Sequence, residues 1–353
     1  MQIEQNNRRL LFPKLGKFAI IFFAFALIGS GYWAFTIMGY IFDENVKKAG
    51  GIYVTEKSTV ESVQKQLVKK GIINEFKAFK WVAKKKKYND AIKPGYYFFK
   101  KGLNTNQIVN KLRSGDQNAI KLTFNNVRFK EDLAGKLAKQ IQADSTSLLN
   151  ALTNSQWMDD FGFRKETYSA MFVPNTYQVY WTIKPEKLIA RMHEEYNRFW
   201  TESRKRKAEA LGMSPVEVSV LASIVQEETV KADEKKKVAG VYVNRLKKGM
   251  LLQADPTVKF ALGDFSIKRI LNKHLKLESP YNTYKYKGLP PGPINYPEIS
   301  SIDAVLNYEQ HRYLYFCAKE DFSGYHNFAK TLRAHNKNAR KYQRALNKNK
   351  IFK

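Results

Sequence analysis

A chain of 353 residues, 44% of them hydrophobic, is long enough for a membrane anchor plus two modest domains or one large one, and its composition excludes a disordered protein. Lys and Arg number 61 against 32 Asp and Glu, a formal charge of +29 that calls for an anionic partner: nucleic acid, a lipid surface or an acidic polymer. One cysteine, Cys317, excludes an intramolecular disulfide, and the five histidines show none of the close spacings of a metal site, so neither metal nor cofactor is expected.

The first element is an uncharged run, Phe18–Phe42, of 25 residues. At about 1.5 Å per residue it exceeds a hydrocarbon core of roughly 30 Å, so it can span a bilayer with some tilt. Arg8, Arg9, Lys14 and Lys17 precede it, and the positive-inside bias then leaves residues 1–17 in the cytoplasm and the C-terminal part outside, as a single-pass protein of the cytoplasmic membrane. A cleaved signal is the competing reading, but the run is long and no A-x-A-like site follows. Outside that membrane, anionic envelope polymers and lipid headgroups replace nucleic acid as the expected partners.

From residue 50 the pattern becomes α+β. "YVTEKSTVESVQKQLVKKGII" reads as a strand and then a helix, with Ser58 as N-cap, Glu61 closing a capping box and Gly71 as the stop. "KPGYYFFKKGLNTNQIVNKLRSG" repeats the plan, with a strand at Tyr96–Phe99, a helix at Thr105–Arg113 and Gly115 after it. Residues 50–116 thus form a small module, in which Lys84–Lys87 read as a solvated face or a binding patch. Residues 117–212 are expected to be mainly helical and connecting, and residues 213–353, rich in Pro, Gly, Asn and Tyr loops, to hold the chemistry in a mixed α+β domain.

"SPVEVSVLASIVQEET" opens that last region. Ser214 is an N-cap, Pro215 fits the first helical position and Glu217 stands at N3, a capping box with a proline start. At about 100° per residue from Leu221, Ile224, Val225 and Glu228 fall roughly at 300°, 40° and 340°, whereas Glu227 falls at about 240° on the flank, facing solvent. Glu228 therefore sits within the apolar stripe. Burial there favours its protonated form, which suits a proton donor; a structurally paired acid or a frayed last turn is the alternative. Asn244, Arg245, Gln253, Asp255 and Thr257 follow around a helix and a turn, and Tyr281, Asn282, Thr283 and Tyr284 flank a stiff Gly-Pro loop. Aromatic faces and amide groups of that kind can grip a sugar.

In order along the chain, "FVPNTYQV", "LASIVQEET", "VYVNRL", "LQADPT", "SPYNTY", "GLPPGPI", "YLYF" and "GYHNFAKTLRAHN" resemble the motifs of the endolytic murein transglycosylases, the YceG-like family. The resemblance is close from about Met171 to Tyr342, with Asn175 where the family has Asp, and weaker for the small module, which resembles a LysM-like region. It implies non-hydrolytic cleavage of the bond between N-acetylmuramic acid and N-acetylglucosamine in peptidoglycan, giving 1,6-anhydro ends, with Glu228 as catalytic acid and then base. It further implies that Asn244, Arg245, Gln253, Asp255, Thr257, Tyr281, Asn282, Thr283 and His326 meet the sugar; His335 also matches a family position. Nascent glycan strands are the implied substrate, and synthases of the elongation machinery the implied partners. Two readings stay open beside it: a muramidase-like hydrolase with Asp255 as base or nucleophile, and a non-catalytic anchored wall-binding protein.

Overall fold

In the computed structural model, which describes residues 13–74, 76–267 and 269–349, helices alternate with short strands that pair only two by two. The chain divides into two units. The first runs to Ile120 and takes in Tyr180–Thr182; the second comprises Lys121–Val179 and the chain from Ile183 onward.

The first unit begins with α1, Pro13–Phe42, a helix of 30 residues. Its stretch Phe18–Phe42 has a mean hydropathy of 1.9 and is long and apolar enough to cross a membrane. The large apolar side chains from Phe18 to Phe35 stand more than half exposed, surface that water penalises and a lipid phase would cover. Arg8 and Arg9 lie outside the described residues, as do the side chains of Lys14 and Lys17. After the helix, β1 (Gly50–Val54), α2 (Val60–Lys69), α3 (Phe76–Lys85), β2 (Gly95–Phe99) and α4 (Thr105–Ser114) follow. β1 and β2 pair antiparallel, Gly50 opposite Phe99 and Val54 opposite Gly95. Their inward residues Ile52, Val54, Tyr97 and Phe99 meet Leu67, Phe79 and Leu112 of the helices in one core.

Two expectations for this unit are corrected. The N-cap of α2 is Thr59 with Ser62 at N3, not Ser58 with Glu61. Ser58 is drawn off by its neighbour, its hydroxyl accepting the Thr55 N–H at 2.9 Å, and Ser62 supplies the oxygen at N3 in place of a carboxylate. α3 is a helix that the strand-and-helix repeat did not contain, and Lys84 and Lys85 form its last turn. Gly115 closes α4 in the left-handed conformation, φ 78°, as a C-cap glycine should.

The second unit, from Lys121, takes in most of β3 (Ala119–Phe124), then α5 (Lys130–Ala138), α6 (Ser145–Leu152), α7 (Ser155–Asp160), β4 (Asn175–Tyr180) as far as Val179, α8 (Pro185–Phe199) and α9 (Glu202–Ala210). The stretch 117–212 is thus not only helical: β3 and β4 pair with each other. "AIKLTF" and "NTYQVY" carry the period-two alternation of half-buried strands, with Leu122, Phe124, Tyr177 and Val179 turned inward. Then come α10 (Pro215–Glu228), α11 (Lys235–Lys247), α12 (Asp255–Leu262), α13 (Ile299–Leu306), the antiparallel pair β5 (Tyr315–Ala318) and β6 (His326–Ala329), and α14 (Leu332–Lys348).

α10 organises this unit. Its start is the one expected: Ser214 caps the Glu217 N–H, the Glu217 carboxylate accepts the Ser214 N–H at 2.8 Å, and Pro215 occupies the first turn. Its sides are not. Eight consecutive residues, Val218–Val225, are buried, because α9, α11, α12 and α13 pack around the helix. A stripe would leave one side wet; here Ser219 and Ser223 survive inside by bonding to the Pro215 and Val220 carbonyls.

Candidate active site

The last turn of α10 sends three side chains in three directions. Gln226 accepts the Glu298 N–H at 2.7 Å and so anchors the start of α13. Glu227 is exposed, as its place on the flank of the helix predicts, and there it pairs with Arg128 at 2.7 Å and accepts from Asn295 Nδ2 at 2.8 Å. Glu228 accepts the Tyr242 hydroxyl on Oε1 at 2.6 Å, while keeping a partly accessible edge. That edge opens on a cavity of about 370 Å³.

Arg245, Gln253 and Asp255 line the same cavity, as the sequence reading expected of substrate-facing groups. Its remaining walls include Tyr242, Tyr284, Tyr315, Phe316 and His335. Three tyrosines and a phenylalanine around the Glu228 and Asp255 carboxyls make a surface suited to the apolar face of a pyranose ring. A larger cavity of about 840 Å³ lies by Ser214 at the other end of α10, but its one carboxylate, Glu217, is used in capping.

Burial pushes the Glu228 carboxyl up to about 7, against a hydrogen bond from Tyr242 that favours the ionised form; Asp255 raises it further and Arg245 lowers it. A carboxylic acid that changes charge near neutrality can both give and take a proton. Burial and the acceptor role of Glu228 hold the Tyr242 hydroxyl well above the usual phenol range, so Tyr242 remains a donor. Asp255, at the start of α12, accepts the Tyr284 hydroxyl at 2.5 Å.

The backbone beneath Gln253 is strained, with φ at 53° in the left-handed region. Thr283 holds it there. Its carbonyl accepts the Gln253 N–H at 3.1 Å and its hydroxyl accepts the Ala254 N–H at 3.0 Å. Thr257 gives its proton to the Ala254 carbonyl, so at their 2.8 Å contact Thr283 is the donor. Thr257 and Thr283 are fully buried and lie outside the cavity as braces for the residues that line it. Asn282 is likewise buried, its Nδ2 on the Leu275 and Leu277 carbonyls. Asn244 donates to the His311 and Tyr313 carbonyls, and Tyr281 packs on Phe260 beside a different cavity. His326 Nδ1 meets Glu234 at 2.6 Å and its N–H reaches the other oxygen, tying β6 to the turn after α10.

Of the nine substrate-facing candidates, the structure therefore brings Arg245, Gln253 and Asp255 to the Glu228 cavity and gives the other six partners elsewhere. Tyr242 was missed, although a signal existed: Tyr242 and Arg245 are three residues apart on α11 and so share a face. Tyr315 and Phe316 fall within the quoted "YLYF" stretch, but nothing in their spacing ties them to Glu228, whose cavity they reach from β5 some 87 residues later.

The second unit thus carries, in a cavity walled by aromatic rings, one carboxyl, that of Glu228, raised toward neutrality by burial. The comparisons supply the class. The family model of the YceG-like family matches residues 52–341, and the chain belongs to that family. It is 32% identical over 319 residues to an endolytic murein transglycosylase of Bacillus subtilis, covering 85% of this chain and 86% of that protein. It is 27% identical over 311 residues to the endolytic murein transglycosylase of Streptococcus pneumoniae, covering 78% of this chain but only 55% of that longer protein. The crystal structure of a YceG-like protein from Listeria monocytogenes superposes with a TM-score of 0.55 at 28% identity, covering 82% of this chain and 99% of that one.

Proposed function

We propose that the protein is a membrane-anchored lytic transglycosylase that cuts peptidoglycan glycan strands between N-acetylmuramic acid and N-acetylglucosamine, with Glu228 as its catalytic residue. The observation that carries this reading is Glu228 itself, delivered by a buried helix into an aromatic cavity where burial pushes its carboxyl up to about 7. The name shared by the Bacillus and Streptococcus relatives supports the substrate and the reaction.

Protonated Glu228 gives its proton to the glycosidic oxygen as the bond to C1 of muramic acid breaks through an oxocarbenium-like state. The resulting carboxylate then takes the proton of the muramic acid 6-hydroxyl as that oxygen bonds to C1 and closes the 1,6-anhydro ring. The acid is restored and no water is consumed. One carboxyl near neutrality is enough, where the usual glycoside hydrolases need two. Tyr242 holds one oxygen of Glu228 and leaves the other for the sugar; Arg245, Gln253 and Asp255 contact the substrate, while Tyr284 and Tyr315 offer stacking faces.

α1 anchors the chain in the cytoplasmic membrane with the remainder outside, supported by its length and apolarity. Residues 50–116 act as a LysM-like glycan-holding module, supported by the strand, helix, helix, strand order of β1, α2, α3 and β2. Residues 117–212 connect it to the catalytic part, 213–353, and elongation synthases are the partners.

A second reading is favoured by one observation: Asp255 lines the cavity with Glu228, so a hydrolase using Asp255 as base is geometrically open. Mass spectrometry of products from purified glycan strands separates the two. Anhydro-muramic ends that disappear in Glu228→Gln are expected. Reducing muramic acid would establish the hydrolase, and fragments released by Glu228→Gln would remove Glu228 from the mechanism.

A further inference from the structure

Arg245 is only 7% exposed, yet among the described residues no carboxylate lies within ion-pairing distance of it. Its bonds all go to neutral oxygens. Nε donates to the Leu314 carbonyl at 2.6 Å; Nη1 donates to the Leu251 and Leu252 carbonyls at 3.1 and 2.9 Å and to Gln253 Oε1 at 3.2 Å. The Tyr315 ring lies 5.1 Å from the guanidinium carbon. Nη2 has no partner among the described residues and is not sealed from solvent.

A buried full charge held by dipoles alone is costly unless something completes it. The two acids of the same cavity form no ion pair with Arg245 among the described residues: Glu228 accepts the Tyr242 hydroxyl and Asp255 the Tyr284 hydroxyl. A second polar group in the same cavity is also incomplete. His335 Nδ1 is buried and has no partner among the described residues, its ring stacked on Tyr315 at 5.5 Å, and burial, with the Arg245 charge, pulls its pKa down so that it stays neutral.

We propose that Arg245, flanked by His335, is a carboxylate subsite of the Glu228 cavity that binds the acidic arm of muramic acid. The carboxylate is either that of the lactyl group, where no stem peptide is attached, or one carried by the stem. This rests on the peptidoglycan reading above. Its consequence is an ordering of steps: a carboxylate at Arg245 offsets the positive charge that favours ionised Glu228, so the acid is kept protonated when the strand is in place.

The test is calorimetric titration of the full chain in phosphatidylcholine nanodiscs, as Glu228→Gln to prevent turnover. The ligands are muramyl oligosaccharides that are stem-free, stem-free with the lactyl carboxyl methyl-esterified, stem-bearing, and stem-bearing with the stem carboxyls amidated. Esterification or amidation is expected to weaken binding by about thirtyfold, the effect of unpairing a buried charge. The pair that shows the loss tells which carboxylate is bound. Adding Arg245→Gln should bring each ratio of free to blocked ligand to about one. The ligand-side comparison does not depend on that variant folding. Equal affinity for every strand and its blocked counterpart overturns the subsite while leaving the functional reading intact; failure of all strands to bind overturns both, and the product analysis above tests the reaction separately.

Discussion

Replacing Tyr242 by Phe removes one hydroxyl and keeps the ring against Phe316, whose centroid lies 5.8 Å away at 89°. The lost bond is the 2.6 Å one donated to Glu228 Oε1, and it favours the carboxylate. A hydrogen bond to a charged group is worth about 1.5–3 kcal/mol, and a pKa unit corresponds to about 1.4 kcal/mol. Because Glu228 keeps a partly accessible edge, water replaces some of the bond, so the lower end applies: a rise of about one unit. The first step needs protonated Glu228, so kcat/KM should fall on the alkaline side with a midpoint near the wild-type value of about 7. In Tyr242→Phe that limb should move to about 8, leaving the variant a larger fraction of its own maximum at pH 8 than wild type retains. The assay is release of anhydro-muramyl products from purified strands, followed from pH 5 to 10. A limb that stays in place or moves to lower pH would refute the assignment of Tyr242 as the donor that tunes Glu228.

Burial of Glu228 also has a stability consequence. Its folded pKa lies above the ordinary carboxyl value of 4.5, at about 7, so over that window the native state keeps a proton that the unfolded state has lost, and stability falls as pH rises. The shift corresponds to roughly 3 kcal/mol, discounted to about 2 for the accessible edge. Glu228→Gln should therefore be more stable than wild type at pH 8 by that amount and equal to it at pH 4, compared by denaturant midpoints; an equal difference at both would contradict the buried-acid picture. Asn282→Ala should cost about 2–4 kcal/mol, since the Leu275 and Leu277 carbonyls and the Tyr284 N–H lose their partner. It should do so with little change in KM; raised KM at unchanged melting temperature would restore Asn282 to the sugar.

Local chemistry made much of this protein legible. The apolar run of α1, the capped start of α10, the Gly115 stop and the deeper setting of Glu228 than of Glu227 follow from spacing and side-chain type over a few residues. Polar type alone could not separate residues that meet a ligand from residues that brace a loop. Thr257, Asn282 and Thr283 have the hydrogen-bonding groups a sugar needs, and the fold spends those groups on its own carbonyls and N–H groups.

The sequence by itself determined which carboxyl ends the central helix and that it lies closer to the apolar interior than its neighbour Glu227. Only the tertiary structure decided what surrounds that carboxyl: Tyr242 from α11, Asp255 from α12, Tyr315 and Phe316 from β5 and His335 from α14 converge on it across gaps of 14 to 107 residues. The physical reason is that a pattern over a few residues records whether a side chain is buried, whereas the pKa and specificity of a buried acid are set by neighbours that packing brings from far along the chain.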